Sequence, residues 1–292
     1  MTIYGVYDVV LYWVNEGTFN VIPSTPSFNW SGTVQEATWN NNPHVKKVFA
    51  INNTRTLSSL FYTKKEFTYK TTYFPVDTGL FGTAFIPSNN NANSITFEEA
   101  WKPLYGAGSD TKYVRFTGGK TDKVKVAYKI GEPLEIQQDF VFANQPTGNP
   151  YATPIAGASY ASEPNTGPFL FSDQNITIDG TQVYPIELEF DLDNKLQYDP
   201  HGYFIGAGGD KMRASPPGYQ PLMGSVTANW EDWTRLTDII NEVNHTVVFP
   251  FGPSNTITLN YVKWDSLELQ KQVSKDIVAP KVPFTCKTAV LA

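Results

Sequence analysis

The side chains that could carry chemistry in this 292-residue chain are few and badly placed for it. Nucleophilic hydrolysis needs a serine or cysteine beside a histidine that a third group orients. There is one cysteine, Cys286, and three histidines, His44, His201 and His245, far apart and without paired metal-ligand spacing. Cys286 falls in the alternating run Phe284-Thr285-Cys286-Lys287-Thr288, which reads as a strand and gives the thiol a packing role. A lone cysteine excludes an intramolecular disulfide and a zinc site built on several thiolates. No Gly-x-Ser-x-Gly elbow occurs. The nearest match, Gly157-Ala158-Ser159-Tyr160-Ala161, lies in a Pro-, Gly- and Ala-rich stretch and is expected to be loop.

Cofactor cradles fare no better. Gly206-Ala207-Gly208-Gly209-Asp210-Lys211 has Lys211 where a dinucleotide fingerprint needs its third glycine, and it lacks the P-loop spacing. Asp191, Asp193 and Asp199 imitate a calcium loop, but Leu196 and Gln197 intervene where that loop needs glycine and oxygen ligands. Strand alternation explains the spacing better. Neither a catalytic residue, a cofactor site nor a metal site is expected. The seven tryptophans, Trp13, Trp30, Trp39, Trp101, Trp230, Trp233 and Trp264, fall mostly on apolar positions of strand-like or helix-like runs. Packing is the first reading of them. A sugar-binding platform, in a glycan-binding or adhesin-like β module or a glycan-active enzyme with a carboxylate pair, is the second.

The elements are mostly strands. Ile186-Glu187-Leu188-Glu189-Phe190-Asp191-Leu192-Asp193 alternates apolar and acidic residues, which gives one buried face and one wet face. Weaker alternation marks Val124-Lys125-Val126-Ala127-Tyr128-Lys129-Ile130, Ile257-Thr258-Leu259-Asn260-Tyr261 and Leu267-Glu268-Leu269. Turn residues separate these runs, at Gly118-Gly119, Gly131-Glu132-Pro133, Asp179-Gly180 and Ser215-Pro216-Pro217-Gly218. One helix is predicted over 232–244, where Trp233, Leu236, Ile240 and Val243 recur at intervals of three and four. Charged residues make up 17% and aromatics 14% of the chain, which suits a β protein with broad buried contacts and excludes disorder. A net charge of −6 argues against a nucleic-acid-coating protein. No apolar run approaches the roughly 20 residues of a membrane span, and the N-terminus lacks the features of a signal peptide. Folding in a cytoplasm, without a membrane partner, is the expectation.

Composition shifts at Asn144-Gln145-Pro146-Thr147-Gly148-Asn149-Pro150 and stays rich in Pro, Gly, Ala and Ser to about Pro168, as in a linker or extended arm. The flanking parts look alike. Ile95-Thr96-Phe97 followed by Trp101 matches Ile257-Thr258-Leu259 followed by Trp264, and Val124-Lys125-Val126 matches Leu267-Glu268-Leu269. The offsets are 162 and 143, and an insertion near 106–121 of the first half would reconcile them. A duplication is expected, with domains at 1–147 and 169–292 and a connecting segment at 148–168.

Residues 113–140 carry a resemblance. The Gly118-Gly119 approach, the amphipathic Val124-Lys125-Val126-Ala127-Tyr128-Lys129 strand, the Gly131-Glu132-Pro133 turn and a return strand ending in Phe140 resemble the closing hairpin of tail tube (major tail) proteins of tailed viruses. The part after Leu267 is similar in degenerate form, with Ser274-Lys275-Asp276 at the turn. The resemblance implies two tandem β-sandwich or barrel domains, each flanked by a helix. The first-half helix candidate, 75–82, is short and contains Gly79. It further implies a structural, non-enzymatic virion protein without cofactor. Three chains would form a pseudo-hexameric ring, and stacked rings would meet other tail proteins and conduct duplex DNA without binding it. The acidic face of Glu187, Glu189, Asp191 and Asp193 is then expected to face the lumen or the solvent. Residues 106–120, 144–168 and 203–219 are expected to be assembly segments.

Overall fold

The computed structural model describes residues 3–48, 59–85, 94–105, 110–164, 166–170, 175–196, 221–228, 234–251, 255–266 and 279–292. The first half holds β1 (Ile3–Asn15), β2 (Ser27–Trp30), β3 (Thr33–Val48), β4 (Ser59–Phe74), α1 (Gly79–Gly82), β5 (Ile95–Tyr105), β6 (Lys112–Lys129) and β7 (Glu135–Phe142). A two-residue strand, β8 (Ser159–Tyr160), follows. The second half holds β9 (Thr177–Ile178), β10 (Thr181–Gln182), β11 (Pro185–Asp193), β12 (Leu222–Ala228) and α2 (Thr234–Ile240). It ends with β13 (His245–Phe251), β14 (Asn255–Trp264), β15 (Lys281–Cys286) and β16 (Thr288–Leu291). The protein is mainly β, as its alternation and turn residues predict.

A central antiparallel sheet runs in the order β3–β4–β7–β6–β11–β12–β15–β14, which β14 joins through Lys263 and Trp264. Two side sheets are joined to it. In one, β2–β1–β5 pairs with the first part of β6; in the other, β10–β9–β13 pairs with β14, which also takes β16. β6 belongs to both layers, pairing with β5 up to Gly119 and with β7 from Lys120. It kinks at Gly118, where φ is +66°. A Cβ there would lie 2.6 Å from that of Ala143, so the site needs glycine for both its angle and its space. The kink of β14 falls at Tyr261, φ +55°, whose ring projects into solvent with the Lys287 ammonium 5.2 Å from its centre.

Pairing follows one order in both halves: β3–β4–β7–β6–β5–β1 and β11–β12–β15–β14–β13–β9, with a helix after β4 and after β12. Superimposing the two left-handed residues shifts β6 onto β14 by 143 positions (261 − 118). Thr121 then falls on Trp264, and their strand partners Phe140 and Phe284 correspond. Across the next strand Tyr69 corresponds to Gly224, and beyond it Trp39 of β3 to Phe190 of β11, a shift of 151 (190 − 39). An irregularity checks this independently. The β5·β6 register slips between Ile95 and Phe97, opposite Gly119 and Phe116; the β13·β14 register slips between His245 and Val247, opposite Val262 and Leu259. Those partners are also 143 apart.

The topology corrects one match made on sequence. Ile257 lies in β14 and corresponds to Val114 of β6, whereas Ile95 corresponds to His245, so no insertion near 106–121 is required. Residues 112–120 are strand and not loop, because Gly118-Gly119 makes a kink inside β6 and no turn; residues 106–109 lie outside the described residues. The predicted helix is present over Thr234–Ile240, and 229–233 lie outside the described residues. The short first-half candidate is helical only over Gly79–Gly82.

Alternate central-strand residues point inward, among them Val124, Val126, Ile136, Phe140, Leu188, Phe190, Leu192, Val226 and Phe284, all buried. They meet the side sheets through aromatic contacts: ring centroids lie 4.8 Å apart for Phe97–Phe140 and 5.1 Å for Tyr69–Phe97. Each fully buried ring contributes about 2–3 kcal/mol. A satisfied polar network ties α1 to the sheet. Gln138 Nε2 donates to Thr121 Oγ1 (2.7 Å), its Oε1 accepts from the Tyr73 hydroxyl (2.8 Å), and Thr83 donates to the Leu80 carbonyl (2.7 Å).

Gly224 stands where the first half has Tyr69, and the Phe284 ring fills the space: a Cβ there would meet a Phe284 ring carbon and the Glu189 carbonyl oxygen, each at 2.4 Å. Gly224→Val is expected to lower the unfolding free energy by about 1–3 kcal/mol, read from the urea midpoint at constant slope. A loss within about 0.5 kcal/mol would mean that the ring does not occupy that space.

Candidate functional site

The outward face of the central sheet carries its charge. The alternation of β11 puts Leu188, Phe190 and Leu192 in the core and Glu187, Glu189, Asp191 and Asp193 outside. β6 alternates in step, so Glu187 stands opposite Lys129, Asp191 opposite Lys125 and Asp193 opposite Lys123. The ammonium–carboxylate distances are 3.5 Å for Lys129–Glu187, 3.1 Å for Lys125–Glu189 and 3.6 Å for Lys123–Asp193. Lys281 of β15 reaches the other Glu189 oxygen at 3.3 Å, and Lys195 reaches Asp193 at 2.7 Å. Lys70 and Asp139 add a pair at 3.2 Å between β4 and β7. The acidic face expected from β11 alone is therefore a ladder of mixed sign. Each exposed pair contributes at most about 1 kcal/mol. What the ladder achieves is local cancellation of charge, since Glu187, Glu189 and Asp193 each pair with an ammonium on a neighbouring strand and Asp191 stands opposite Lys125.

Electrostatics follow from this geometry. Partial burial raises the Glu189 carboxyl, but Lys125 and Lys281 outweigh it and hold the group below its ordinary range. Asp193 is likewise held low, burial being outweighed by its bonds to Lys195 and by Lys123. Asp191 goes the other way: burial and the nearby Glu189 raise it against the pull of the lysines.

The border of this sheet is its second feature. Among the described residues β3 is paired on one side alone, by β4. Residues 35–42 are all exposed, although the Trp39 ring on the inward face still reaches Phe116, 5.7 Å between ring centres.

The described residues of 144–168, expected to be a linker or arm, are fastened along the first half. Tyr151 exchanges backbone hydrogen bonds with Tyr113 (3.0 and 2.8 Å). The Asn149 side chain accepts from the Arg115 amide and donates to its carbonyl. The Arg115 guanidinium lies 4.0 Å from the Tyr151 ring centre, donates to the Thr153 carbonyl (2.7 Å) and pairs with buried Glu98. Tyr160 donates to the same carboxylate, and burial, aided by that carboxylate, raises the Tyr160 pKa. β8 then pairs parallel with β2, and the Phe169 carbonyl accepts from the Leu134 amide at 2.8 Å. Composition signals the irregular backbone; the tie through Arg115 and Glu98 joins residues too distant in sequence for any local pattern to show.

The remaining sequence candidates do not converge. Cys286 is buried in β15, and burial pushes its thiol up to about 12. His245 sits under α2 with Nδ1 2.7 Å from Asp179 and Nε2 3.4 Å from Asp238. No group of three or more metal-ligating side chains occurs among the described residues. Trp13 and Trp264 are buried, Trp30 and Trp101 half-buried, and Trp39 exposed, so these form no common platform. Trp230, Trp233, His201, Asp199, the 206–211 glycine run and the 203–219 segment lie outside the described residues. No described helix is long and apolar enough to cross a membrane.

A sheet that spans both halves and, among the described residues, is bare and charged on one face and open at its border is the equipment of an assembly protein. The model of the phage tail tube protein family matches residues 9–285, and the chain belongs to that family. No curated protein matches it. The chain is a structural subunit of a phage tail tube, a virion component made in the host cytoplasm and not an enzyme, and it oligomerises into tube-forming rings.

The lowered carboxyls set a pH dependence. A depressed folded-state pKa contributes stability above the unfolded value, and this is lost as pH falls through the folded value. The unfolding midpoint is expected to drop on acidification through and below the ordinary carboxylate range, and less steeply in Glu189→Gln. Identical pH profiles for the two proteins would remove Glu189 from the account.

Proposed function

We propose that each chain is a double tube unit, with residues 1–147 and 169–292 as its two β domains and 148–168 as the connection. Three chains close a six-unit ring, and stacked rings form a channel for duplex DNA. The observation that carries this reading is the β6·β11 pairing, which joins the halves edge to edge in one continuous sheet. The repeated pairing order supports the tandem units. A sheet that continues from unit to unit closes on itself with one face inward. Its other face is covered by the side sheets, so the charged face lines the channel. With eight central strands per chain, counting the end of β14 beside β15, spaced by ~4.8 Å, three chains give a circumference of about 115 Å and roughly 37 Å between opposite backbones, wide enough for a duplex.

The ladder suits the cargo. Lysines that neutralise phosphates make a duplex stick in a salt-dependent way. Here a carboxylate beside each lysine repels the phosphate that the lysine would attract.

Mass photometry of assembled rings is expected to give the mass of three 32.6-kDa chains, whereas a six-chain mass would refute the double unit. Replacing Glu187, Glu189 and Asp191 together by Gln, Gln and Asn unmasks the lysines. Tubes of this variant are expected to retain DNA at low salt and release it as salt rises, unlike the parent; equal retention by both would place the ladder elsewhere than on the channel wall.

A further inference from the structure

The ladder on the outward face of the central sheet shares its lysines unevenly. Lys129 goes to Glu187, Lys125 and Lys281 both go to Glu189, and Lys123 and Lys195 both go to Asp193. Three carboxylates thus hold five ammonium groups. The fourth, Asp191, has no ammonium within 4.0 Å among the described residues. Its cross-strand neighbours explain why. On β6 it faces Lys125, whose ammonium turns to Glu189 at 3.1 Å; on β12 it faces the exposed Met223, which has no hydrogen bond to donate. The charges around it are Lys125 and Lys123 of β6, Lys281 of β15, and Glu189 on its own strand. A carboxylate that takes a proton gives up its ion pairs. Asp191 has none to give up, whereas Glu189 and Asp193 each have two. Burial, and with it the Glu189 charge, raises the Asp191 carboxyl against the pull of the lysines, while the bonds to Lys195 hold Asp193 low despite burial. Asp191 is therefore neutralised before Asp193 as pH falls.

We propose that Asp191 is a proton switch in the channel wall: ionised, it balances the surplus lysines and a duplex passes freely; protonated, it leaves them uncompensated and the wall holds the duplex by its phosphates. This rests on the ladder lining the channel, as read above, and adds the residue and the condition that end its passivity. With Asp191 ionised, five ammonium groups meet four carboxylates, a surplus of one per chain; without its charge the surplus is 5 − 3 = 2. Asp191 stands on β11 between Glu189 and Asp193, the two carboxylates that carry two lysines each, so its charge offsets both local surpluses. Every chain of a ring repeats the change at one height of the wall, which makes it a band around the duplex. Each lysine that neutralises a phosphate displaces condensed counterions, so the hold adds up over contacts and weakens as salt rises. Met223 is part of the device: a donor at that position would bond the carboxylate and keep it charged.

Tubes of the parent, of Asp191→Asn and of Glu187→Gln are mixed at low salt with a linear duplex shorter than the tube, and the DNA that survives washing and nuclease is measured as pH is lowered from neutral toward the ordinary carboxylate range. Parent tubes are expected to release the duplex at neutral pH and retain it in acid, reversibly. Asp191→Asn is expected to retain it already at neutral pH and to lack the parent's acid step. Its slope of log affinity on log salt steepens by about 0.9 for each phosphate newly neutralised. Glu187→Gln removes a paired carboxylate and leaves Asp191 in place, so it keeps the step. Asp191→Asn tubes that release DNA at neutral pH and share the parent's step would overturn the switch; retention by the triple variant of Glu187, Glu189 and Asp191 would then leave the channel reading standing. If the triple variant also releases its DNA, or if the retained DNA is open to nuclease, the channel reading fails and the switch with it. Parent tubes that hold no more DNA in acid than at neutral pH overturn the switch without any variant.

Discussion

The pairing of β6 with β11 is the contact on which the rest of the structure depends. Without it the molecule would be two sheets, each with its own open borders. With it, eight strands form a single surface from β3 to the end of β14, bare on one side among the described residues and covered on the other. β6 does this by serving two layers: its first part closes the side sheet with β5, and its second part lies between β7 and β11. Gly118 makes the change of layer possible, since no other residue fits both its backbone angle and the Ala143 contact. The same manoeuvre at Tyr261 in β14 leaves a ring in solvent in place of a packed glycine. One device, used twice, thus appears once as an internal joint and once at the end of the central sheet.

Charge and shape answer the same need. A channel wall must be polar enough to stay wet and yet must hold no ligand. The ladder of Glu187, Glu189, Asp191 and Asp193 against Lys123, Lys125, Lys129 and Lys281 is highly charged and close to neutral over any few ångströms. The pairs contribute little to stability singly, and the inward residues of the same strands hold the sheet to its core. The Arg115–Glu98 tie keeps the connecting segment against the first half. Nothing in this division of labour calls for a reactive group, which agrees with the raised Cys286 thiol and the dispersed histidines.

How much of this the sequence reveals depends on how local each signal is. The alternation of Ile186 to Asp193 and of Val124 to Lys129 is visible because a strand face has period two. Their mutual pairing is not, because it joins residues some sixty positions apart, and so an acidic face hides the lysines that neutralise it. Gly118-Gly119 carries the signature of a turn, and only the close approach of Ala143 shows that it kinks a strand. The similarity of the halves is legible as a repeated order of elements, but apolar triplets such as Ile95-Thr96-Phe97 recur by chance in β proteins. Left-handed residues and register slips fix the superposition, and neither is written in composition. The open edge of β3 is hidden for a different reason: nothing in Thr38 to Asn42 marks a strand that is paired on one side alone among the described residues.

A cryo-electron reconstruction of the assembled tube tests the central claim most directly. The account predicts three chains per ring and a strand sheet uninterrupted round the axis, with β6·β11 junctions alternating with junctions between chains and the lysine–carboxylate ladder facing the bore. A ring in which the central sheet breaks between chains, or in which the ladder faces outward while the side sheets line the bore, would contradict it.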